Sequence, residues 1–431
     1  MHMLLLALLA TVTVNEVTLD TDIIENTDDQ WIAPGYRIAE ELVLDPGEYG
    51  NPINVNDIGF QPFFVDTPDG EKWRIILVFD GEVVVLQEDT AERRYPIAGD
   101  IRYMMNSANG RYVLLGLNDE QTHDEIAWRG YSPPEHRVVL LNTDTGEQVT
   151  TTDFKGVGFI GNNGFSISIK NDAIEFYDNE LNLVGTTSNF VREIGGTATG
   201  YASDGSLLVR VHTEDYSDPE SFILRAYDEF GNILWITDNE HYGFPIVSEH
   251  GEYVFVLQSQ RLLCLDGNDG NLLWQHMNDN HSSSLSISHS RTGAAFSYMT
   301  NSPSTRNRSI CIGWINELKH TSIEYIGYHS DQIAFFSPDQ VTQNGYALLR
   351  VFFSERPNTN LSRFMYCIFD SDGSLLFERM ISTEDRMYGN IWANLPRALT
   401  PAAISITGKR IILWDKKDIF VLSIAQDGVS E

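Results

Sequence analysis

The sequence predicts an all-β chain, and three observations carry that expectation. Runs of four to six residues rich in Val, Ile, Leu, Phe and Tyr alternate with clusters of Gly, Asn and Asp, the pattern of strands and turns. Helical periodicity is nearly absent, the best candidate being Tyr36 to Leu44, which follows Pro34-Gly35. Third, a glycine leading directly into an apolar strand recurs along the chain, so the β-structure is a repeat.

The anchors are PDGEKWRIILV (Gly70), SANGRYVLLG (Gly110), GNNGFSISI (Gly164), ASDGSLLVRV (Gly205), SEHGEYVFVL (Gly251), SRTGAAFSYM (Gly293), QNGYALLRVF (Gly345) and SITGKRIILW (Gly408). Their mean spacing is about 48 residues, and propeller blades recur every ~40–50. Glycine suits a tight turn between strands because it takes φ > 0 at little steric cost. The expected architecture is a single closed β-propeller of four-stranded antiparallel blades, with eight blades as first choice and seven as the alternative. The last repeat runs out after IFVLSI (Ile419 to Ile424), too early to supply its own outer strand. TVTVNEVTL (Thr11 to Leu19) is the first candidate to complete it and remove an open edge. If a leader takes those residues, the completing strand lies later, or the ring has seven blades and an odd hairpin.

A second strand follows each anchored one and closes on an acidic turn: VVLLNTDTGEQV, IEFYDNELNLV, LRAYDEFGNILW, LLCLDGNDGNLLW and MYCIFDSDGSLLF. These segments resemble repeats of the pyrroloquinoline-quinone-like and WD-repeat-like β-propeller superfamilies. In the former, a strand, an Asp turn, a Gly and a Trp recur in each blade. Trp235 and Trp274 stand at that Trp position, Phe377 replaces it once, and other copies lack an aromatic. The resemblance spans about residues 60 to 424. It implies a propeller and maps no quinone, calcium or catalytic Asp site onto any residue here.

The expected organisation is a signal peptide or first strand at 1–14, an acidic segment at 15–59 and the propeller at 60–431. Leu4 to Ala10 form a short apolar run suited to a secretory signal, although no Lys or Arg precedes it. The run is far below the ~20 residues that span a bilayer. An exported chain without stable membrane insertion is the expectation. Residues 16–48 hold ten carboxylates against one base, Arg37, and read as a solvated lead-in, with an acidic strap over the ring as the alternative.

The formal charge is −32, with 61 carboxylates against 29 Lys plus Arg. Such acidity argues against nucleic acid, whose phosphates need a basic face, and against anionic lipid. It favours solubility and a monomer through self-repulsion, and cationic partners. Three cysteines, Cys264, Cys311 and Cys367, have neither disulfide-framework nor metal-ligand spacing and are expected as buried free thiols.

Chemical motifs are weak. GVGFIG (Gly156, Gly158, Gly161) matches a dinucleotide fingerprint, but an alternating FSISI strand follows where that motif needs a helix. DGNDGN and DSDGS admit calcium, yet the spacing is wrong for an EF-hand loop and β-turns are the better account. His276, His281 and His289 lack zinc spacing and read as loop residues. No nucleophile elbow or phosphate loop is present. No cofactor is expected.

Repeat lengths are more informative. Between the two central strands, repeats 1, 3, 5 and 8 have tight turns, whereas repeats 2, 4, 6 and 7 carry insertions. In a propeller these connections emerge together, and insertions on one face commonly form a binding surface. The candidate residues are His123, Trp128, Arg129 and Tyr131 in the second repeat and Asp215 and Tyr216 in the fourth. Arg306, Arg308 and Arg356 in the sixth and seventh add cationic groups to an anionic chain. Trp, Tyr and Arg dominate binding hot spots. The expected function is a non-catalytic scaffold for a protein or glycan. The alternative is an enzyme, a hydrolase, a lyase or a quinoprotein-like oxidoreductase, with its site at the central channel.

Overall fold

The computed structural model describes residues 14–18, 30–45, 48–49, 60–79, 81–118, 137–152, 157–169, 173–188, 199–213, 222–238, 245–248, 250–258, 261–277, 285–288, 293–301, 308–316, 319–326, 333–342, 346–354, 362–370, 374–383, 402–415 and 418–426. Among these the regular structure is strand, with no α-helix. The strands form eight sheets built as up-and-down meanders, the strand order of β-propeller blades.

Two compact units divide the chain: Ile38–Asp279 with Tyr388–Ala425, and Met1–Arg37 with Asn280–Met387 and Gln426–Glu431. The larger unit contains six sheets. Sheet 1 is Phe60–Thr67, Gly70–Phe79, Glu82–Gln87 and Arg93–Pro96. Sheet 2 is Asp100–Asn106, Tyr112–Asn118, Arg137–Asn142 and Gln148–Thr151. Sheet 3 is Val157–Ile160, Ser166–Ile169, Ala173–Tyr177 and Leu183–Ser188. Sheet 4 is Thr199–Tyr201, Leu208–Thr213, Phe222–Tyr227 and Ile233–Asp238. Sheet 5 is Pro245–Val247, Tyr253–Gln258, Arg261–Asp266 and Leu272–Met277. Sheet 8 joins Ala403–Ile404, Arg410–Asp415 and Asp418–Gln426 to Tyr36–Leu44.

The core of this unit is a series of sheet-on-sheet sandwiches. Apolar residues fill both faces of the middle strands, which therefore read as continuous rather than alternating runs: Ile75 to Phe79 are all buried. Ile76, Val78 and Val83 of sheet 1 pack on Val113, Leu115 and Val139 of sheet 2. The opposite face of sheet 1, through Ile75, Leu77 and Val84, packs on Ile412 and Val421 of sheet 8. Sheets 2 and 3, 3 and 4, and 4 and 5 share clusters of the same kind. Burying such side chains is worth about 1.5–3 kcal/mol each, and in this unit each sheet buries them against its neighbours.

In the smaller unit, sheet 6 is Leu285–Ser288, Gly293–Asn301, Arg308–Asn316 and Lys319–Ile326. Sheet 7 is Ile333–Val341, Ala347–Ser354, Ser362–Phe369 and Leu375–Thr383. Each gains a fifth strand from the N-terminal region, so the expectation of four strands per blade fails here. Val14–Thr18 runs parallel to Lys319–Ile326, and Gln30–Ile32 runs antiparallel to Leu375–Thr383.

Two further expectations are corrected. Tyr36–Leu44 is a strand, not a helix, with Leu42 and Leu44 packed on the core shared by sheets 1 and 8. The open edge of Asp418–Gln426 supplies pairing partners that outweigh a short helical pattern. That same strand completes sheet 8, so Thr11 to Leu19 does not; its Val14–Thr18 portion belongs to sheet 6. Five of the anchor glycines are turns as read, Gly110, Gly164, Gly205, Gly251 and Gly408 having φ between +64° and +88°, while Gly70 and Gly293 open their strands. Gly345 lies outside the described residues.

Candidate functional site

A four-stranded meander puts its first and third turns at one end and its middle connection at the other. In the larger unit the first end is locked together. Asn109 N–H donates to Asn162 Oδ1 at 3.0 Å, and Asn162 N–H to the Ser203 carbonyl at 2.7 Å, joining the first turns of sheets 2, 3 and 4. His250 Nδ1 stands 3.1 Å from Asp204 Oδ2, which ties in sheet 5. Gly110 is tight against its neighbour: a β-carbon there would lie 2.6 Å from the Phe63 ring.

Two arginines reinforce this end. Arg74 of sheet 1 is buried and reaches sheet 2, donating to Asp144 Oδ1 at 2.6 Å and Thr143 Oγ1 at 3.2 Å, while Gln87 Oε1 accepts at 2.8 Å. Burial lowers its pKa and the Asp144 carboxylate opposes that, so the charge is kept where it is compensated. Arg410 of sheet 8 bonds Glu41 at 2.6 Å and Glu88 at 3.0 Å. Burial works against its charge, and the two carboxylates more than offset it, raising its pKa. It thereby reinforces Tyr36–Leu44 within sheet 8 and fastens sheet 8 to sheet 1.

The third turns are capped from within. Asp178 Oδ1 accepts from Glu180 and Asn182 N–H, and Asp228 Oδ1 from Phe230 and Asn232 N–H, all within 3.0 Å. Asp266 and Asp269 in DGNDGN cap Asn268 and Asn271 in the same way, and Asp370 in DSDGS caps Ser374. These are the Asx turns that the sequence indicates. Among the described residues no group of three His, Cys, Asp or Glu is placed to hold a metal ion. Gly161 and Gly164 form a turn between Val157–Ile160 and Ser166–Ile169, with no helix to receive a pyrophosphate. His276 lies in the strand Leu272–Met277, opposite Leu262, not in a loop; His281 and His289 fall outside the described residues. Cys264 and Cys367 are buried free thiols, and burial pushes the Cys264 pKa up to about 12. The Cys311 side chain is not among those described.

The opposite end is uneven. Sheets 1, 3, 5 and 8 close it tightly, between Phe79 and Glu82, Ile169 and Ala173, Gln258 and Arg261, and Asp415 and Asp418. Sheets 2 and 4 carry the insertions, which leave from the pairs Leu117↔Arg137 and Thr213↔Phe222. In the smaller unit, sheets 6 and 7 lengthen the same connection, from Asn301↔Arg308 and Ser354↔Ser362. Of the predicted site residues only Arg308 is described, as the first residue of its strand. His123, Trp128, Arg129, Tyr131, Asp215, Tyr216, Arg306 and Arg356 lie outside the described residues.

Arg74 and Arg410 carry no signal in the sequence, because their partners are 13 to 369 residues distant and only folding brings them together. The structure also explains a repeat that lacks an aromatic at the Trp position. In sheet 3 that position is Gly185, opposite Phe176 as Trp235 is opposite Ala226. The Phe230 carbonyl oxygen would lie 1.9 Å from a β-carbon there. A side chain is excluded by the neighbouring turn.

No protein-family model and no curated protein matches this sequence. Among solved structures, the chain is similar to the WD40 domain of SCAP from fission yeast, with 9% identity, 91% of this chain and 99% of that chain covered, and a TM-score of 0.46. A eukaryotic initiation factor structure matches at 13% identity, with 79% and 78% covered and a TM-score of 0.46. Hsv2p of Kluyveromyces lactis matches at 11% identity, with 77% and 97% covered and a TM-score of 0.39. Among the described residues no helix is long and apolar enough to cross a membrane.

Proposed function

We propose that the chain is an exported, non-catalytic scaffold that takes a protein or glycan partner on its inserted loops. One observation carries the reading. In the larger unit the turn end is bonded blade to blade, whereas long connections rise from paired strand stalks at the other end. A rigid base holding variable loops suits recognition, because ordering costs fall on the loops alone. The loop of sheet 2 contains Trp128, Arg129 and Tyr131, and the loops of sheets 6 and 7 contain Arg306 and Arg356. Those residue types supply aromatic anchors and forked cationic donors to carboxylate-bearing or sugar ligands. Export rests on the apolar run Leu4 to Ala10.

The paired substitution Trp128→Ala and Arg129→Ala tests the reading. A partner recovered by affinity capture and identified by mass spectrometry, or a glycan recovered on an array, is lost from the variant while its melting temperature stays that of the parent. Undiminished recovery places recognition elsewhere.

A further inference from the structure

The geometry points to a second docking surface, on the outer edge of sheets 3, 4 and 5, that takes an extended basic segment of a partner protein as an added strand. Eight of the nine large apolar side chains that stand exposed among the described residues lie there, on the last strands of these three sheets or the turns before them. Scattered exposed apolar residues need no explanation, but a contiguous patch does. Here the three sheets adjoin, so the exposed residues are neighbours: the Gly185 strand of sheet 3 abuts the Phe230 backbone of sheet 4, and the Gly270 turn of sheet 5 abuts Trp235 of sheet 4.

A repeated bulge produces it. In sheet 3 the register runs Phe176↔Gly185 and then Tyr177↔Leu183, leaving Val184 over. Sheets 4 and 5 do the same, leaving over Leu234 and Leu273. The extra residue breaks the alternation of faces, so the neighbours Ile233 and Leu234 are both about half exposed, at 48% each.

Sheet 7 shows what covers such an edge. It carries the same bulge, with Ile368↔Phe377 followed by Phe369↔Leu375, but its Leu375 and Leu376 are each only 5% exposed. There Gln30–Ile32 pairs antiparallel to the edge strand, with Ile32 opposite Phe377, and Ala33 N–H donates to the Leu376 carbonyl at 3.0 Å. Leu183–Ser188, Ile233–Asp238 and Leu272–Met277 are terminal strands of their sheets with no such cover among the described residues. By equivalence the Leu234 carbonyl is the acceptor for an incoming N–H. Strand addition of this kind draws affinity from backbone bonds and specificity from alternate side chains.

Charge selects the occupant. Residues 178–188, 228–238 and 266–275 contain seven carboxylates and no Lys or Arg. A second copy of this chain, also at −32, would bring like charge to the edge. A segment alternating Val or Ile with Lys or Arg fits both the apolar strip and the acidic turns.

The probe is a nine-residue synthetic peptide alternating Lys with Val, titrated by calorimetry and by hydrogen exchange against the full chain. Saturable binding that protects the amides of 233–238 supports the surface. Affinity should fall at least tenfold for the Ile236→Lys protein, for a peptide with a central Pro and for the Glu-for-Lys peptide. The variant should keep its parent's melting temperature and its binding at the inserted loops, which separates this surface from the one proposed above. Binding that the central Pro or Ile236→Lys leaves intact is electrostatic adhesion and overturns the proposal. So do the absence of binding at millimolar peptide, and a concentration-dependent dimer that Ile236→Lys abolishes.

Discussion

The carbonyl oxygen of Phe230 occupies the place where a β-carbon on Gly185 would sit, 1.9 Å away. The obstacle is backbone, fixed by the Asp228 turn whose side chain caps Phe230 and Asn232, so it does not yield as a flexible side chain would. Gly185→Ala should destabilise the chain by about 2–3 kcal/mol, the cost of overpacking a site with no room to relax. A urea transition within 0.5 kcal/mol of the parent's would show that sheets 3 and 4 are less tightly apposed than this.

Trp235 binds the next blade by its indole. Its Nε1–H donates to the Gly267 carbonyl at 2.7 Å, and the residue is 7% exposed. Trp235→Phe retains most of the packing and loses the bond, for a cost of about 1–2 kcal/mol. Trp235→Ala also empties the site and should cost about 3–5 kcal/mol. Equal losses for the two variants would mean that the bond, not the ring, fastens sheet 4 to sheet 5.

Arg74 is the most consequential buried charge among the described residues. Its side chain is 7% exposed, against 39% for Asp144. Arg74→Met removes the charge and leaves Gln87, Thr143 and Asp144 facing an apolar group. Since Asp144 can turn to water, the loss should fall below the ~3–5 kcal/mol of a fully buried pair, at about 2 kcal/mol. Arg74→Lys should recover little, because an ammonium cannot serve Gln87 and Asp144 with one rigid fork. Chemical denaturation of both variants checks the order.

Cys264 gives the pH dependence a sign. Its pKa is pushed from an ordinary 9.0 up to about 12, first by burial and then by Asp266. A group whose folded pKa is raised contributes stability that is present below about pH 9 and lost as the pH rises toward 12. In a Cys311→Ser protein the native chain should therefore leave a thiol reagent unreacted at pH 8. It should consume two equivalents in denaturant, from Cys264 and Cys367. Rapid reaction of the native protein would contradict the burial.

The legible part of this fold is what glycine spacing and strand composition carry. Gly110, Gly164, Gly205, Gly251 and Gly408 mark turns because each holds a positive φ. The Asp turns are legible because Asp178, Asp228 and Asp266 bond to backbone within four residues of themselves. Pairings across long separations were not legible. Tyr36–Leu44 reads as a helix because its partner strand begins at Asp418, and the apolar edge stays hidden because bulges, not composition, turn Leu234 outward. For the inserted loops, length and residue type were legible, and the structure adds the paired stalks from which they rise.

The central claim is that recognition resides in those insertions while the locked turns carry the fold. It is tested most directly by replacing residues 119–136 with an Asn-Gly turn joining Asn118 to Arg137, and measuring partner affinity beside the melting temperature. Affinity should fall at least a hundredfold while the melting temperature stays within about 2 °C of the parent, since surface connections contribute little to stability. Unchanged affinity in the folded variant would contradict it.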